Sequence, residues 1–305
     1  MPESTDRAPT RAGHVALVGI PNVGKSTLMN ALLGEKLSIT TAKEQTTRQR
    51  VTGILTRPAF QAVFVDTPGL LEPRYLLHEA MLGEALASLR DADVIVLILD
   101  ATRPAQTLPP TESLDQVLAR PERVIGVVNK SDVASPADVA RLAEWVGERA
   151  GSDAVVVSAT RGNGLPELER RIAEGLPASP FLYPEDEIAV QPMRFFVEEL
   201  IRETVFERYH QEIPYSVAVQ VEEYREGTDP LYIRATIYVE RETQKQILIG
   251  AKGAGIRDLG TAARRKIQAF VGERVYLDLW TKVLPRWRKR ETALNRLGHA
   301  PPGQR

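Results

Sequence analysis

From residue 13 to about 175 the chain alternates short, nearly continuous apolar runs with segments whose apolar residues recur every three or four positions. The runs His14–Val18, Ala62–Val65, Val94–Leu99, Val124–Val128 and Ala154–Val157 are rich in β-branched residues, the pattern of strands buried on both faces. Between them, Lys25–Leu33, Glu79–Arg90, Leu108–Ala119, Pro136–Ala150 and Leu165–Glu174 carry helical spacing. Strands and helices in alternation predict an α/β fold with a doubly wound, mostly parallel sheet. Only a short connection separates Val51–Thr56 from Ala62–Val65, which predicts an antiparallel hairpin at the sheet edge.

The pattern then changes. Prolines at 177, 180 and 184 exclude a regular element and read as a linker. Beyond it Phe196, Val197, Leu200, Ile201 and Val205 mark one helix face, while Tyr215, Val217, Val219 and Val221 alternate, as do Leu231, Ile233, Ile237 and Val239. A short helix, Glu242–Ile249, is broken at Gly250-Ala251-Lys252-Gly253. A second helix carries Ile256, Leu259, Ala263, Ile267 and Phe270, and Val275, Leu277 and Leu279 form a last strand. The order α-β-β-α-α-β describes a smaller α+β unit.

At 305 residues, 43% hydrophobic and 26% charged, the chain suffices for about two domains and is neither disordered nor collagen-like. The expected division is a disordered N-terminus over 1–12, a first domain over 13–175, a linker over 176–190, a second domain over 191–295 and a tail over 296–305. Zero cysteines exclude disulfides, thiolate metal sites and a cysteine nucleophile, and fit a reducing cytoplasmic compartment. No apolar run approaches the roughly 20 residues of a membrane span. Charge is asymmetric: residues 241–296 hold 14 Lys and Arg against 5 Asp and Glu, a net of +9, while the remainder sums to −10. A basic tail on an acidic body suggests a polyanionic partner.

Gly19-Ile20-Pro21-Asn22-Val23-Gly24-Lys25-Ser26 fits the phosphate-loop pattern GxxxxGK[ST] between a predicted strand and a predicted helix. Gly19 and Gly24 let the backbone curl until its N–H groups face phosphate oxygens, and the following helix adds its positive end. Candidate nucleotide contacts are Gly19, Asn22, Val23, Gly24, Lys25, Ser26 and Thr27, with Lys25 on the β and γ phosphates and Ser26 on Mg²⁺. Asn129-Lys130-Ser131-Asp132 follows a buried strand at the end where ligands of such sheets bind. A carboxylate at Asp132 accepts from guanine N1–H and the 2-amino group, which selects GTP and GDP over adenine nucleotides. Asn129 is expected on the N7 edge and as a tie between loops, Lys130 over the base, and Ser158-Ala159-Thr160 to bring a backbone N–H to guanine O6. Asp66-Thr67-Pro68-Gly69 offers Asp66 to Mg²⁺ through water and the Gly69 N–H to the γ phosphate. In the polar loop Lys43–Arg48, Thr47 is the candidate to close over the metal, with Thr46 its rival.

These five segments, in this order and at strand ends, resemble the small GTPases of translation and ribosome assembly. The resemblance implies hydrolysis of GTP by in-line attack of water, with Lys25, Thr47, Asp66 and Gly69 as the catalytic set. One departure matters. Where Ras-like enzymes carry a water-orienting glutamine after this glycine, the chain has Leu70, so slow intrinsic turnover is expected. Asn22 resembles the asparagine of potassium-dependent GTPases that helps hold K⁺ beside the phosphates, against a plain turn asparagine.

Ile249-Gly250-Ala251-Lys252-Gly253-Ala254-Gly255-Ile256 resembles the I-G-x-x-G-x-x-I core of the KH fold, and α-β-β-α-α-β is its type II order. The resemblance implies that Gly250, Ala251, Lys252, Gly253 and Arg257 meet a single-stranded nucleic-acid backbone. Arg264, Arg265, Lys266, Lys282, Arg286, Arg288, Lys289 and Arg290 are further candidate phosphate contacts. Trp280 and Trp287 are expected to pack rather than stack on bases, and the four histidines show no ligand spacing. A P-loop GTPase domain followed by a type II KH domain is similar to the Era family of bacterial ribosome-assembly GTPases, over about 13–295. The family implies binding near the 3′ end of 16S ribosomal RNA, a role in maturation of the 30S subunit, and peripheral contact with the inner face of the membrane. A tRNA-modification GTPase is disfavoured because such chains are expected to carry a reactive cysteine and a helical domain. A double GTPase needs a second phosphate loop, and a non-catalytic RNA binder fits poorly with intact Lys25, Ser26, Asp66 and Asp132.

Overall fold

A computed structural model describes residues 10–41 and 43–299. It divides into two compact units, one holding the chain up to Ser38 with Thr47–Glu72 and Met81–Val190, the other holding Ile39–Thr46, Pro73–Ala80 and the chain from Gln191.

In chain order the first part runs β1 (Arg11–Val18), α1 (Lys25–Leu33), β2 (Val51–Arg57), β3 (Phe60–Asp66), α2 (Leu76–Asp91), β4 (Val94–Asp100), α3 (Thr111–Leu118), β5 (Val124–Asn129), α4 (Pro136–Ala150), β6 (Val155–Val156) and α5 (Leu165–Gly175). One six-stranded sheet has the order β2-β3-β1-β4-β5-β6. Its only antiparallel pair among the described residues is β2 with β3, the expected edge hairpin. Every residue of β3 and β4 is buried, which accounts for their unbroken apolar character. Register pairs Leu17 with Asp66 and Asp100 with Asn129, so β1, β3, β4 and β5 end along one edge.

Helix boundaries follow local chemistry. At α4, Ser135 accepts from the Asp138 N–H at 3.2 Å, Pro136 supplies a preset φ, and Gly151 ends the helix at φ 67°. The proline-rich stretch forms no regular element but is held to the first unit. Ala12 N–H donates to the Pro177 carbonyl, Ser179 N–H to that of Thr10, and Ile54 N–H to that of Ile188. Strand β1 already begins at Arg11, two residues inside the segment expected to be disordered. Residues 1–9 of that segment, and 300–305 of the expected tail, lie outside the described residues.

The second unit continues with α6 (Met193–Arg208), α7 (Ile213–Ser216), β7 (Ala218–Arg225), β8 (Leu231–Val239), α8 (Glu242–Ile249), α9 (Ala254–Val271), β9 (Val275–Val283) and α10 (Glu291–Arg296). Its sheet has the order β7-β8-β9, with β8 and β9 parallel. Val197, Ile201, Val205, Ile233, Ile237, Leu248, Leu259, Ala263 and Ile267 share its core. Tyr215 lies in α7 rather than in the strand its alternation predicted. Ile213 and Val217, four apart, are both buried, and Pro214 suits a first helical turn. Leu294 and Leu297 are buried too, so the fold extends into the expected tail. Among the described residues no helix is long and apolar enough to cross a membrane.

Candidate nucleotide site and nucleic-acid interface

The segment between β1 and α1 curls through conformations open mainly to glycine. Gly19 has φ 152° and Gly24 φ 101°, and a Cβ on them would stand 2.5 Å from the Ile98 carbonyl oxygen and 2.4 Å from Asn129 Nδ2. Asn22 is also left-handed, at φ 67°. Lys25 opens α1 but is only 5% exposed, its Nζ donating to the carbonyls of Gly19 at 3.2 Å and Ile20 at 3.0 Å. Burial pulls its pKa down to about 8, against the pull of the Asp66 carboxylate. The next residues of α1 are Ser26 and Thr27, both half-buried.

Three oxygens converge beside this lysine. Ser26 Oγ donates to Asp66 Oδ2 at 2.6 Å and lies 2.9 Å from Thr47 Oγ1, which reaches the same carboxylate at 3.4 Å. Asp66 is fully buried, and its Oδ1 has no hydrogen-bond partner among the described residues. Burial raises its pKa, opposed by the Ser26 hydrogen bond and the Lys25 charge. An orphaned carboxylate oxygen beside two hydroxyls is an all-oxygen donor set suited to a small hard cation, so these residues fit Mg²⁺. Thr46 points elsewhere, with its hydroxyl 2.7 Å from Thr41 Oγ1.

Gly69 lies against the same loop: a Cβ there would come within 2.5 Å of the Pro21 nitrogen. The next residue, Leu70, donates its N–H to the Gly19 carbonyl at 2.9 Å and buries its side chain completely. The position that carries glutamine in Ras-like enzymes is here part of the core.

At the end of β5, Asn129 ties two loops. Its Nδ2 donates to the Val23 carbonyl at 2.8 Å, and its Oδ1 accepts from the Ala159 N–H at 3.1 Å. Of the segment Ser158-Ala159-Thr160, expected to bring a backbone N–H to guanine O6, the Ala159 N–H is thus engaged within the protein. Asp132 Oδ1 accepts from Ser158 Oγ at 2.7 Å, which fixes the carboxylate. Lys130, at φ 64°, donates to the Asn22 carbonyl at 2.8 Å and to Asp100 Oδ2 at 2.7 Å. Sequence reasoning missed Asp100. It lies outside every motif, and its only signal is an acidic residue ending an apolar strand.

In the second unit, α8 stops at Gly250 (φ 68°) and α9 starts after Gly253 (φ 79°), with Lys252 left-handed between them at φ 50°. Ala251, Lys252 and Arg257 are exposed. A Cβ on Gly250 would lie 2.8 Å from the Gly255 nitrogen, and one on Gly255 would lie 2.7 Å from the Leu248 carbonyl oxygen. Gly255, also unassigned in the sequence, is thus with Gly250 one of the two glycines that let the helices meet closely. A Cβ on Gly253 would meet nothing within 4 Å.

One expectation needs correction. Trp287 is fully buried, its Nε1 donating to the Ser216 carbonyl at 2.7 Å, but Trp280 is 55% exposed because it alternates along β9 with Leu277 and Leu279, which are partly buried against the core. Of the basic residues read as phosphate contacts, Lys266 is paired with Glu203 at 2.7 Å and Glu207 at 2.6 Å, Lys282 with Glu222 at 3.0 Å, and Arg288 with Glu240 at 2.5 Å. Arg264 and Arg265 remain exposed on α9.

Comparison with known proteins places this geometry. Residues 14–130 match the family model of a 50S ribosome-binding GTPase, and residues 212–288 match that of a KH domain. GTPase Era of Thermosipho melanesiensis is 43% identical over 292 residues, covering 94% of this chain and 97% of that protein. The chain belongs to the Era family of GTPases. Era of Pseudomonas putida is 39% identical over 302 residues, covering 97% of this chain and 99% of its own length. Among solved structures, a single-site variant of Aquifex aeolicus Era bound to GDP·AlF₄⁻ superposes with a TM-score of 0.89 at 38% identity, over 95% of this chain and all of that one. An Era complex with MgGDPNP and nucleotides 1506–1542 of 16S ribosomal RNA gives the same TM-score at 39% identity, over 95% of this chain and 99% of that one. The Era fold, a P-loop GTPase domain followed by a KH domain, is the fold of this chain.

Proposed function

We propose that this GTPase is a nucleotide-controlled switch that binds single-stranded RNA near the 3′ end of 16S ribosomal RNA and serves maturation of the 30S subunit. The convergence of Ser26, Thr47 and Asp66 beside buried Lys25 carries the hydrolytic part. The solved Era complex with a 16S fragment supports the RNA part, together with exposed Ala251 and Lys252 in the Gly250–Gly253 turn. The working division is a GTPase domain over 13–175 and an RNA-binding domain over 191–295.

Lys25 would leave its own loop carbonyls for the β and γ phosphates, and the backbone N–H groups of Asn22 to Thr27 would line the phosphates. Ser26, Thr47 and, through water, Asp66 would hold Mg²⁺, which would supply positive charge against the phosphates. Gly69 would present its N–H to the γ phosphate. Asp132, steadied by Ser158, would read guanine, with Asn129 and Ala159 holding the walls of that pocket. Buried Leu70 has no polar group to orient water. We infer that Asn22 helps hold K⁺ beside the phosphates in compensation. Era-family membership supports a cytoplasmic site of action, and the family resemblance extends this reading to peripheral contact with the membrane.

The test is hydrolysis of GTP and ATP by the full chain, with and without an RNA spanning the 3′-terminal segment of 16S. Slow turnover of GTP alone, altered by that RNA and not by a scrambled one, is expected. Equal turnover of ATP, or none of GTP under either condition, would overturn the reading.

A further inference from the structure

Asp100 ends β4 directly across from Asn129 and is only 3% exposed. A buried carboxylate outside the motifs at a ligand-binding sheet edge needs a reason, because burying an uncompensated charge is costly. Its two oxygens have different tasks. Oδ1 accepts from the Thr102 N–H at 2.9 Å and the Thr102 hydroxyl at 2.6 Å, while the Asp100 N–H donates to Thr107 Oγ1 at 2.6 Å. Those bonds shape the loop after β4. Oδ2 instead accepts from Lys130 Nζ at 2.7 Å. Burial pushes this carboxyl up, but the bonds from Lys130 and Thr102 outweigh burial and hold it below the usual carboxylate range.

The Lys130 ammonium makes a second contact, 2.8 Å from the Asn22 carbonyl oxygen. A trans peptide carries its C=O and N–H on opposite sides, so a carbonyl drawn toward Lys130 turns the Val23 N–H the other way. Asn129 acts likewise on the next peptide, holding the Val23 carbonyl at 2.8 Å and turning the Gly24 N–H. Two successive N–H groups are thereby set in one direction, the arrangement that makes an anion-binding concavity. Asn22 and Lys130 hold left-handed backbones at φ 67° and 64°, conformations that persist in non-glycine residues only where the surroundings fix them.

We propose that Asp100 is a positioning residue for the nucleotide: it clamps the Lys130 ammonium onto the Asn22 carbonyl and so aims the Val23 N–H at phosphate. The proposal rests on the nucleotide reading of the Gly19–Ser26 loop. Without the carboxylate, Lys130 has one anchor fewer, and both its stem and the Asn22 peptide gain freedom that nucleotide binding must then remove.

The test measures binding and dissociation of a fluorescent GDP analogue on the full chain, with a thermal melt of each protein. Asp100→Asn keeps the size of the side chain and an acceptor for Thr102 but removes the charge facing Lys130. Its affinity should fall by about 10- to 100-fold, the range for losing one charge-assisted hydrogen bond, mainly through faster release. Thr102→Val, which disturbs only the loop, should lower the melting temperature and leave GDP affinity within about 2-fold. In a Lys130→Met background, adding Asp100→Asn should change affinity by less than about 2-fold, since the partner is already gone. Parental affinity in Asp100→Asn, an equal loss in both backgrounds, or failure of Asp100→Asn to fold would each overturn the proposal and assign Asp100 to the loop alone. Failure of the parent to bind GDP would instead overturn the nucleotide reading, and the proposal with it.

Discussion

Replacing Gly253 with aspartate separates folding from RNA binding. A Cβ at Gly253 meets nothing within 4 Å, so the new side chain projects into open space beside exposed Lys252. The folding penalty is then only that of a left-handed residue at φ 79°, about 1 kcal/mol for an aspartate, which tolerates this region better than most. A melting temperature lower by about 4–6 °C is expected, with the fold retained. Single-stranded RNA lying against this turn would meet the carboxylate at its closest approach. Losing one close contact and gaining repulsion should cost about 2–4 kcal/mol, or roughly 30- to 1000-fold in affinity. Fluorescence anisotropy with a labelled 3′-terminal 16S oligonucleotide reads this directly, repeated at several salt concentrations because phosphate contacts weaken as salt rises. GDP binding by the same protein should be unchanged. The contrasting variant is Gly250→Ala, whose Cβ would strike the Gly255 nitrogen at 2.8 Å and should damage folding first. A folded Gly253→Asp protein that binds the RNA as its parent does would refute the interface and leave the turn as a helix connector.

Asp132→Asn should lose guanine selectivity and shift preference toward xanthosine nucleotides, as competition titrations would show; retained selectivity for GTP over ATP would remove Asp132 from the base site. Exchanging Na⁺ for K⁺ at fixed ionic strength should raise the hydrolysis rate, and Asn22→Ala should abolish the difference, whereas a wild-type rate indifferent to the cation would end the potassium reading alone. Leu70→Gln should not accelerate hydrolysis, because position 70 faces the core; it should instead destabilise the fold by about 2–3 kcal/mol through an unsatisfied buried amide, seen in urea unfolding. Glu198, whose Oε1 accepts from the Val221 N–H at 2.7 Å, has its pKa pushed up to about 7 by burial, so the folded chain holds a proton that the unfolded chain releases near its ordinary value of 4.5. Stability should therefore decline as pH rises from about 4.5 to 7, and Glu198→Gln should remove up to about 3 kcal/mol of that decline; parallel pH–stability curves for the two proteins would refute it.

Legibility in the sequence depends on whether the deciding interaction is local. The bounds of α1 and α4 follow from the chain alone because Gly24, Gly34, Ser135, Pro136 and Gly151 cap them within a turn. Helix α7 is hidden because the alternation from Tyr215 to Val221 coincides with a helical pair at Ile213 and Val217, and only packing decides between two valid periods. The exposure of Trp280 is legible, yet the expectation of packing runs against it. Period two from Val275 through Leu279 puts residue 280 on the opposite face, and here that pattern prevails over the usual burial of tryptophan. Asp100 is not legible, since its value comes from an ammonium thirty positions later and a carbonyl in a third segment. The paired state of Lys266 and Lys282 is equally hidden: net charge counts cations without their partners.

Strand register explains why so many separate segments make one nucleotide site. Asp66 faces Leu17 across β3 and β1, and Asn129 faces Asp100 across β5 and β4, so the chain leaves four strands along a single edge. A slip of one residue in β3 would exchange the two faces of that strand, withdraw Asp66 from Ser26 and carry Leu70 out of the core. The buried apolar residues of β3 and β4 oppose such a slip, because it would undo their close packing on both faces of the sheet. The apolar runs that identify the strands therefore also fix the spacing between Lys25, Asp66, Asp100 and Asn129. Changes deep in the strands, far from any phosphate, should weaken nucleotide binding in proportion to how far they loosen this register.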